Sequence, residues 1–144
     1  MVLPLFKTHY SQSKSILTLE KKDSLLPDGP DSVIDICLEN GIKEFYLVED
    51  NMGSFLQAYD STKDEDLSFR YGVRLNVCSD NQARGEEALK STSKYVIFAK
   101  NESGYKKLIK IYSNAATKGF YYEPRTDFKA SSPLAWLSEQ TFSL

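Results

Sequence analysis

Short apolar runs alternate along this chain with segments of helical periodicity. Four of these runs are typical of short or buried β-strands: Val2–Phe6, Phe45–Val48, Phe69–Val77 and Tyr95–Ala99. The third is the least regular, because polar residues interrupt it at Arg70, Arg74 and Asn76. The acidic stretch from Asp60 to Asp66 is predicted to be a solvated loop.

Four helices are predicted around these strands. The first is capped by Asp31 or Ser32 and ends at Gly41, a residue type that favours the position after a helix. The others are expected at Ser54–Tyr59, Gln82–Lys90 and Glu102–Thr117. Asn101 should cap the last helix, whose apolar stripe is predicted to be Tyr105, Leu108, Ile109, Tyr112 and Ala116.

This alternation of strands and helices predicts an α/β fold with mostly parallel strands. About four strands are too few to close a barrel, so the pattern indicates the first half of a distorted βα barrel. Residues 1–128 form the predicted βα domain. Residues 129–144 form a tail that contains Trp136 and an apolar stretch, and the pattern there does not decide its structure.

Composition narrows the function classes. The formal charge of −2 lacks the basic excess of a protein that binds DNA by phosphate contacts. The chain has no apolar run of membrane-spanning length and no secretory signal, so we expect a cytoplasmic protein. Its two cysteines, Cys37 and Cys78, are predicted to be buried thiols in a reducing compartment.

Carboxylates follow the predicted strand ends, the position at which barrel enzymes place their chemistry. Glu49, Asp50 and Asp80 could hold one magnesium ion through water molecules. Ion pairs of these carboxylates with Lys7 or Arg74 are the favoured interpretation. The single histidine, His9, is better explained by local hydrogen bonds in a loop than by metal binding or general-base catalysis.

Two surface features permit both a DNA-binding and a structural interpretation. The basic edge Lys106, Lys107 and Lys110 could contact a DNA backbone, although a solvated helix face explains it better. The aromatic group at residues 120–122, together with Arg125, could stack on bases, but packing of the loop onto the domain explains it as well and is favoured.

Two neighbouring motifs carry a family resemblance. The strand ending in Phe98-Ala99-Lys100-Asn101 is followed by Gly104-Tyr105, a helix, and Phe120-Tyr121-Tyr122-Glu123-Pro124-Arg125. In order and spacing this resembles the amino-terminal polymerase-and-histidinol-phosphatase (PHP) domain of bacterial and phage DNA polymerase III alpha subunits. The resemblance covers about residues 3 to 128 and implies the first half of a TIM-like PHP barrel.

The departures from the family pattern lie at its metal-ligand positions. Where family members that keep metal have His-x-His, this chain has Leu5 and Lys7. Their Asp-His aligns with Glu49 and Asp50, and a family glutamate aligns with Arg74. An alkyl chain, an ammonium and a guanidinium offer no lone pair to a cation, so we expect no bound metal, no catalytic residue and no cofactor in this segment.

The resemblance therefore implies a non-catalytic segment of a replicative polymerase. It would act as a structural and protein-docking platform, with the remainder of a polymerase chain or a complementary polymerase fragment as partner. A proofreading exonuclease subunit is a further partner that it could dock, and DNA would be involved only indirectly. Two alternatives remain: a stand-alone or split-gene binding module derived from a PHP domain, and a divergent magnesium-dependent phosphoesterase.

Overall fold

The chain divides into two compact units, and the boundary lies between Val73 and Arg74. The structure, a computed structural model, describes residues 17–25 and 29–128. The predicted strand Val2–Phe6 and the tail from residue 129 to 144 lie outside the described residues.

The first unit opens with a small parallel sheet. Strand β1 (Leu17–Thr18) pairs with β2 (Asp31–Ser32), and a single 3₁₀ turn at Lys22–Ser24 lies between them. Helix α1 (Val33–Glu39) follows β2 directly, and its amino-terminal cap is Ser32, one of the two predicted residues. The Ser32 Oγ accepts a hydrogen bond from the Asp35 backbone N–H at 3.2 Å, which satisfies one of the unpaired donors of the first turn.

Helix α1 ends as predicted at Gly41, whose φ of +65° is left-handed. Two hydrogen bonds close this end: the Gly41 N–H donates to the Leu38 carbonyl at 3.1 Å, and the Ile42 N–H to the Cys37 carbonyl at 2.8 Å. This is a Schellman motif, for which glycine is favoured because it has no Cβ to clash in the left-handed conformation.

Parallel strands form the centre of the first unit. Strand β3 (Glu44–Glu49) pairs with the first half of β4 (Ser68–Cys78), from Glu44 opposite Ser68 to Glu49 opposite Val73. Both predicted strands are confirmed, each slightly longer than expected. Arg70 fits in β4 because its exposed side chain forms an ion pair with Glu44 of the neighbouring strand, at 2.6 Å.

Helix α2 (Phe55–Thr62) is longer than predicted. The expectation of a loop beginning at Asp60 was wrong for the residues up to Thr62. The buried Thr62 hydroxyl donates to the Ala58 carbonyl at 2.8 Å, and Lys63 pairs with Asp60 at 3.0 Å. The helix therefore tolerates acidic residues on its exposed side.

In the second unit, helix α3 (Glu86–Lys90) is shorter than the predicted helix Gln82–Lys90. The prediction was wrong for the first four positions. The Asp80 carboxylate accepts from the Gln82 N–H at 2.9 Å and forms a turn, and Gly85 has a φ of +104°, which no helix contains.

The remaining elements of the second unit are strand β5 (Ser93–Phe98), helix α4 (Glu102–Thr117) and strand β6 (Arg125–Asp127). Helix α4 has the predicted bounds, and the Asn101 side chain caps it by accepting from the Gly104 N–H at 2.9 Å. Strand β6 pairs in parallel with the second half of β4, with Asn76 opposite Arg125. The sequence did not predict β6.

The apolar stripe of helix α4 differs from the prediction. Its buried residues are Leu108, Ile111 and Ala115, whereas Ile109 is 39% exposed. The prediction was right for Leu108, wrong for Ile109, and it omitted Ile111 and Ala115, because it followed residue type along a helix that is apolar on more than one side. Spacings of three and four residues from Leu108 identify the buried face.

The fold class is mixed α/β, and the strand pairs β1–β2, β3–β4 and β4–β6 are all parallel. Closure into a barrel stays a prediction. Within residues 17–25 and 29–128, every helix is too short or too polar to cross a membrane.

Candidate functional site

A buried carboxylate lies at the end of strand β3. Side chains alternate between the two faces of a strand, so Glu49 falls on the same buried face as Phe45 and Leu47. Glu49 is only 2% exposed, and neither of its carboxylate oxygens makes a well-formed hydrogen bond. The Ser54 hydroxyl, just before helix α2, is likewise buried without a well-formed hydrogen bond.

This environment changes the acidity of Glu49. Burial raises the pKa of its carboxyl group from the ordinary 4.5 to about 7, and the negative charge of Asp50 contributes to the rise. The Ser54 hydroxyl opposes the rise without cancelling it. Near neutral pH the Glu49 carboxyl group is therefore partly protonated, because its charged form has lost solvation that the Ser54 hydroxyl replaces only in part.

The other predicted site residues lie on different elements of the structure. Asp50 follows Glu49 directly and is exposed. Asp80 lies two residues beyond the end of β4, where its carboxylate forms the turn to Gln82. Arg74 lies within β4, in the second unit, and its side chain is exposed.

The predicted ion-pair cluster of Lys7, Glu49, Asp50 and Arg74 stays a prediction. Leu5, Lys7 and His9 lie outside the described residues, and Glu49 and Arg74 belong to different units. Both oxygens of the Glu49 carboxylate are buried without a hydrogen-bond partner among the described residues, so this carboxylate could accept a cationic partner.

The residues at the family's ligand positions do not fit a metal cluster. A guanidinium such as Arg74 has no lone pair for a cation and carries a like charge. Within the part of the chain that the structure describes, no three His, Cys, Asp or Glu residues lie close enough together to hold a metal ion. The expectation that this segment binds no metal stays a prediction.

Arg125 organises the second unit from inside. It is fully buried, and its two terminal nitrogens donate to three backbone carbonyls: Ala83 at 3.0 Å, Asn81 at 3.3 Å and Ala88 at 3.4 Å. These carbonyls belong to the loop after β4 and to helix α3, so one guanidinium fixes a segment about 40 residues earlier in the chain. Next to Arg125 in β6, the Asp127 carboxylate accepts from the Asn81 N–H at 3.2 Å.

The segment before Arg125 forms a turn, here called the aromatic turn and defined as Phe120–Glu123. The Tyr121 N–H donates to the Glu123 carbonyl at 3.1 Å, and Tyr122 has a φ of +61°. Tyr121 packs inward: its ring lies beneath the guanidinium of Arg125, at 5.1 Å from its centroid, and its hydroxyl accepts from the Gly85 N–H at 3.1 Å. Phe120 and Tyr122 point outward and are 52% and 77% exposed.

Gly119 precedes the aromatic turn, and its lack of a side chain allows the backbone there to lie close to the backbone of Arg125. A Cβ atom at Gly119 would lie 1.9 Å from the Arg125 carbonyl oxygen, far inside van der Waals contact. Gly104 near the start of α4 is less constrained, because its closest atom would be Ala99 Cα at 3.6 Å. The motif residue Tyr105 is partly buried on α4, Pro124 is partly buried before β6, and Lys100 is exposed.

The basic edge of α4 and the aromatic turn both have exposed side chains, so neither of the two DNA-binding interpretations is tested by the fold. Lys106, Lys107 and Lys110 are all exposed on α4, and Lys106 forms an ion pair with Glu102 one turn away, at 2.6 Å. In the aromatic turn, Tyr121 is engaged with Arg125 and Gly85, which leaves Phe120 and Tyr122 with the exposed rings.

Sequence reasoning missed three residues of these sites. The buried hydroxyl of Ser54 and the backbone of Asn81 carry no sequence signal, since their roles depend on residues brought near by folding. Gly119, the second residue after helix α4, was not predicted to approach another part of the backbone. No signal in the sequence indicates the close approach of Gly119 to Arg125.

Comparison with known proteins places these features in a family. A sequence model of the PHP domain matches residues 27–142. The chain is also similar to the DNA polymerase III subunit alpha of two Helicobacter pylori strains, with 32% identity over 92 residues. The match covers 63% of this chain and 8% of each polymerase subunit, so the chain spans a small part of the length of these relatives.

Proposed function

Because this chain belongs to the PHP domain family, we propose that it is a non-catalytic PHP-domain segment of a DNA polymerase III alpha-like replicative polymerase. It acts as a structural and protein-docking platform in cytoplasmic DNA replication. The similarity to two DNA polymerase III alpha subunits carries this proposal. More than nine-tenths of those subunits lies outside the match, so the proposed partner is the remainder of a polymerase, either in the same chain or as a complementary fragment.

The buried carboxylate supports the absence of catalysis. Glu49 is the one ligand position of the family pattern at which the structure describes a buried carboxylate. At 2% exposure it has no surface to present to a phosphate ester. Arg74 is a cation where the family has a carboxylate. Without a lone-pair donor at that position, a divalent ion loses the ligands by which it would activate water.

The aromatic turn supports a protein-facing role. Phe120 and Tyr122 expose large apolar rings on a turn that is held by the contacts of Tyr121 with Arg125 and Gly85. Rigid aromatic side chains lose little conformational entropy on binding, and aromatic residues are enriched at the centres of protein interfaces. The proofreading exonuclease subunit is a second partner that this surface could dock. We propose no cofactor for the segment.

Reading the coding DNA past the Leu144 codon is the first test. A frame that continues into a polymerase palm with its carboxylates supports the role within one polymerase chain. An immediate stop codon supports the alternative, a stand-alone or split-gene module, whose partner is then a separate polymerase fragment.

A binding experiment tests the docking role itself. The chain and the remaining polymerase of the same genome are purified separately and their association is measured by calorimetry. Tyr122→Ala should weaken the association at least tenfold, whereas Tyr59→Ala, at a tyrosine that is 51% exposed in the first unit, should leave it unchanged. Absence of association with the wild-type chain would contradict the docking role.

A further inference from the structure

Tyr122 has a backbone conformation that tyrosine rarely adopts. Its φ of +61° lies in the left-handed region, where the Cβ of a bulky residue is crowded and glycine or asparagine is favoured. Burial of the side chain does not offset this strain, because Tyr122 is 77% exposed. Strained residues cluster at ligand clamps and other functional sites, so the exposed ring of Tyr122 points to a binding role.

The contacts of the aromatic turn hold this ring in place. The Tyr122 ring meets the Tyr121 ring edge-on, with 4.8 Å between the centroids. Tyr121 is itself held by the Arg125 guanidinium and by the Gly85 N–H. The exposed ring is therefore ordered before a partner binds, which reduces the conformational entropy that binding costs.

An exposed arginine lies next to these rings. The Arg84 guanidinium carbon lies 5.2 Å from the centroid of the Tyr121 ring, and Nη1 donates to the carbonyls of Asn81 and Ala83, both at 3.0 Å. Nε and Nη2 of Arg84 donate to no acceptor among the described residues. These two nitrogens form the edge of a guanidinium that binds both oxygens of a carboxylate in a bidentate pair.

The charge of the second unit favours an acidic partner. This unit, from Arg74 to Leu144, has eleven basic and seven acidic residues, although the whole chain has a formal charge of −2. A basic unit attracts acidic partners over a distance and disfavours basic ones.

A single carboxylate fits this surface better than a nucleic-acid backbone does. Single-stranded nucleic acid also stacks on exposed rings, but its backbone carries a negative charge at every nucleotide and needs a series of cations. Three carboxylates lie in the neighbouring sequence: Glu86, Glu87 and Glu123. They would repel a continuous anionic backbone, whereas one carboxylate needs only the open edge of Arg84.

We propose that Tyr122 and Arg84 form a docking site for a short acidic segment of the remaining polymerase. A carboxylate of that segment binds the Nε and Nη2 edge of Arg84, and an adjacent apolar side chain packs on the exposed ring of Tyr122. The inference rests on the proposed docking function and adds the chemistry of the segment that this surface recognises.

Calorimetry with the remaining polymerase of the same genome tests the role of Arg84. Arg84→Gln should weaken the association at least fivefold and reduce its dependence on salt, because it removes a charge-assisted contact. Lys110→Gln, the loss of one charge at an exposed position of α4, is the matched control and should leave the affinity within twofold of wild type. Absence of association with the wild-type chain would contradict the proposed function itself. Association that Arg84→Gln leaves unchanged would overturn only this inference.

Tyr122→Asn separates a binding role of the ring from a structural one. Asparagine tolerates the left-handed conformation, so this variant should unfold at the temperature of the wild-type chain or above it. Its association with the remaining polymerase should nevertheless weaken at least tenfold. Unchanged association would overturn the proposal, and an unfolding temperature that falls at the same time would assign the ring to stability alone.

Peptides identify the chemistry of the partner segment. Overlapping short peptides that cover the remaining polymerase are tested as an array for capture of the wild-type chain. Captured peptides should carry Asp or Glu beside an apolar residue, and replacing that Asp or Glu with its amide should abolish capture. No captured peptide, or captured peptides without a carboxylate, would overturn the proposal. Binding of fluorescent oligo-dT that Tyr122→Asn abolishes would assign the surface to nucleic acid instead.

Discussion

The guanidinium of Arg125 lies over the ring of Tyr121, with 5.1 Å between the Arg125 Cζ and the ring centroid. Arg84 approaches the same ring at 5.2 Å. The two terminal nitrogens of Arg125 donate to loop carbonyls and the guanidinium lies over an aromatic face, whereas its buried Nε has no hydrogen-bond partner among the described residues. The Phe-Tyr-Tyr-x-Pro-Arg motif therefore has a structural explanation that needs no ligand.

Arg125→Met should destabilise the second unit by about 3 kcal/mol, because it removes three hydrogen bonds that a buried charged donor makes to the carbonyls of Asn81, Ala83 and Ala88. Urea unfolding measures the decrease in the free energy of unfolding, and hydrogen exchange at residues 81–88 locates it in the structure. Lys110→Met, at an exposed position of helix α4 in the same unit, is the control and should change stability by less than about 0.5 kcal/mol. Equal effects of the two substitutions would contradict the role of Arg125.

Gly119→Ala should destabilise the chain by about 1–3 kcal/mol, because the new Cβ would lie 1.9 Å from the Arg125 carbonyl oxygen and the backbone must move. Gly104→Ala is the matched control. Its Cβ meets only ordinary contacts in helix α4, and alanine favours the helix by about 0.5–1 kcal/mol. Thermal unfolding of both variants should therefore show shifts of opposite sign.

Glu49 should make the chain less stable as the pH rises. The pKa of Glu49 is about 7 in the folded chain and 4.5 for the ordinary group, so between these values the folded chain keeps a proton that the unfolded chain has lost. The free energy of unfolding then falls with increasing pH, by about 3 kcal/mol in total, and levels off above pH 7.

Glu49→Gln tests this dependence, since an amide does not ionise. The variant should be more stable than wild type at pH 8, and the difference should shrink toward pH 4. Glu87→Gln, at an exposed position of α3, is the control and should not change the pH profile. Parallel profiles for Glu49→Gln and wild type, measured by urea unfolding, would show that Glu49 has a partner that stabilises its charge.

The two thiols should react slowly. Cys37 and Cys78 are free and buried, and burial raises the pKa of both thiols, which lowers the fraction of reactive thiolate. A chromogenic disulfide reagent at pH 8 should label them at least tenfold more slowly in the folded chain than in urea. Fast labelling of the folded chain would contradict their burial.

Phosphatase assays test the third interpretation of the sequence. The purified chain with Mg²⁺ or Mn²⁺ should hydrolyse an aryl phosphate no faster than buffer. Activity that disappears in Glu49→Ala but persists in Glu87→Ala would instead establish a divergent phosphoesterase.

Local signals explain why much of the fold was predictable. Helix α4 was predicted residue by residue, because Asn101 provides a side-chain cap and the helical pattern runs unbroken to Lys118. Helix α1 was equally clear between Ser32 and Gly41. In both cases the residues that fix the ends lie within a few positions of the helix.

The sites were harder to predict because they depend on distant residues. Arginine is usually exposed, and no neighbouring residue in the sequence indicates that Arg125 donates to backbone carbonyls some 40 positions earlier. The start of α3 depends on the left-handed conformation of Gly85, which a neighbouring tyrosine hydroxyl holds in place. Glu49 was singled out as a possible ligand, but its burial was not predicted, because the continuous apolar run at residues 45–48 does not show which face of β3 is buried.

Two lysines bracket the apolar part of β5: Lys94 begins the strand after Ser93, and Lys100 follows its end. β5 is the last strand in its order of pairing, so one of its edges has no neighbouring strand among the described residues. Two nascent chains that align their bare edges would bring like ammonium charges together, and this repulsion guards against intermolecular pairing. Added salt shortens the reach of such repulsion, so the folding yield of newly made chains should decline with ionic strength.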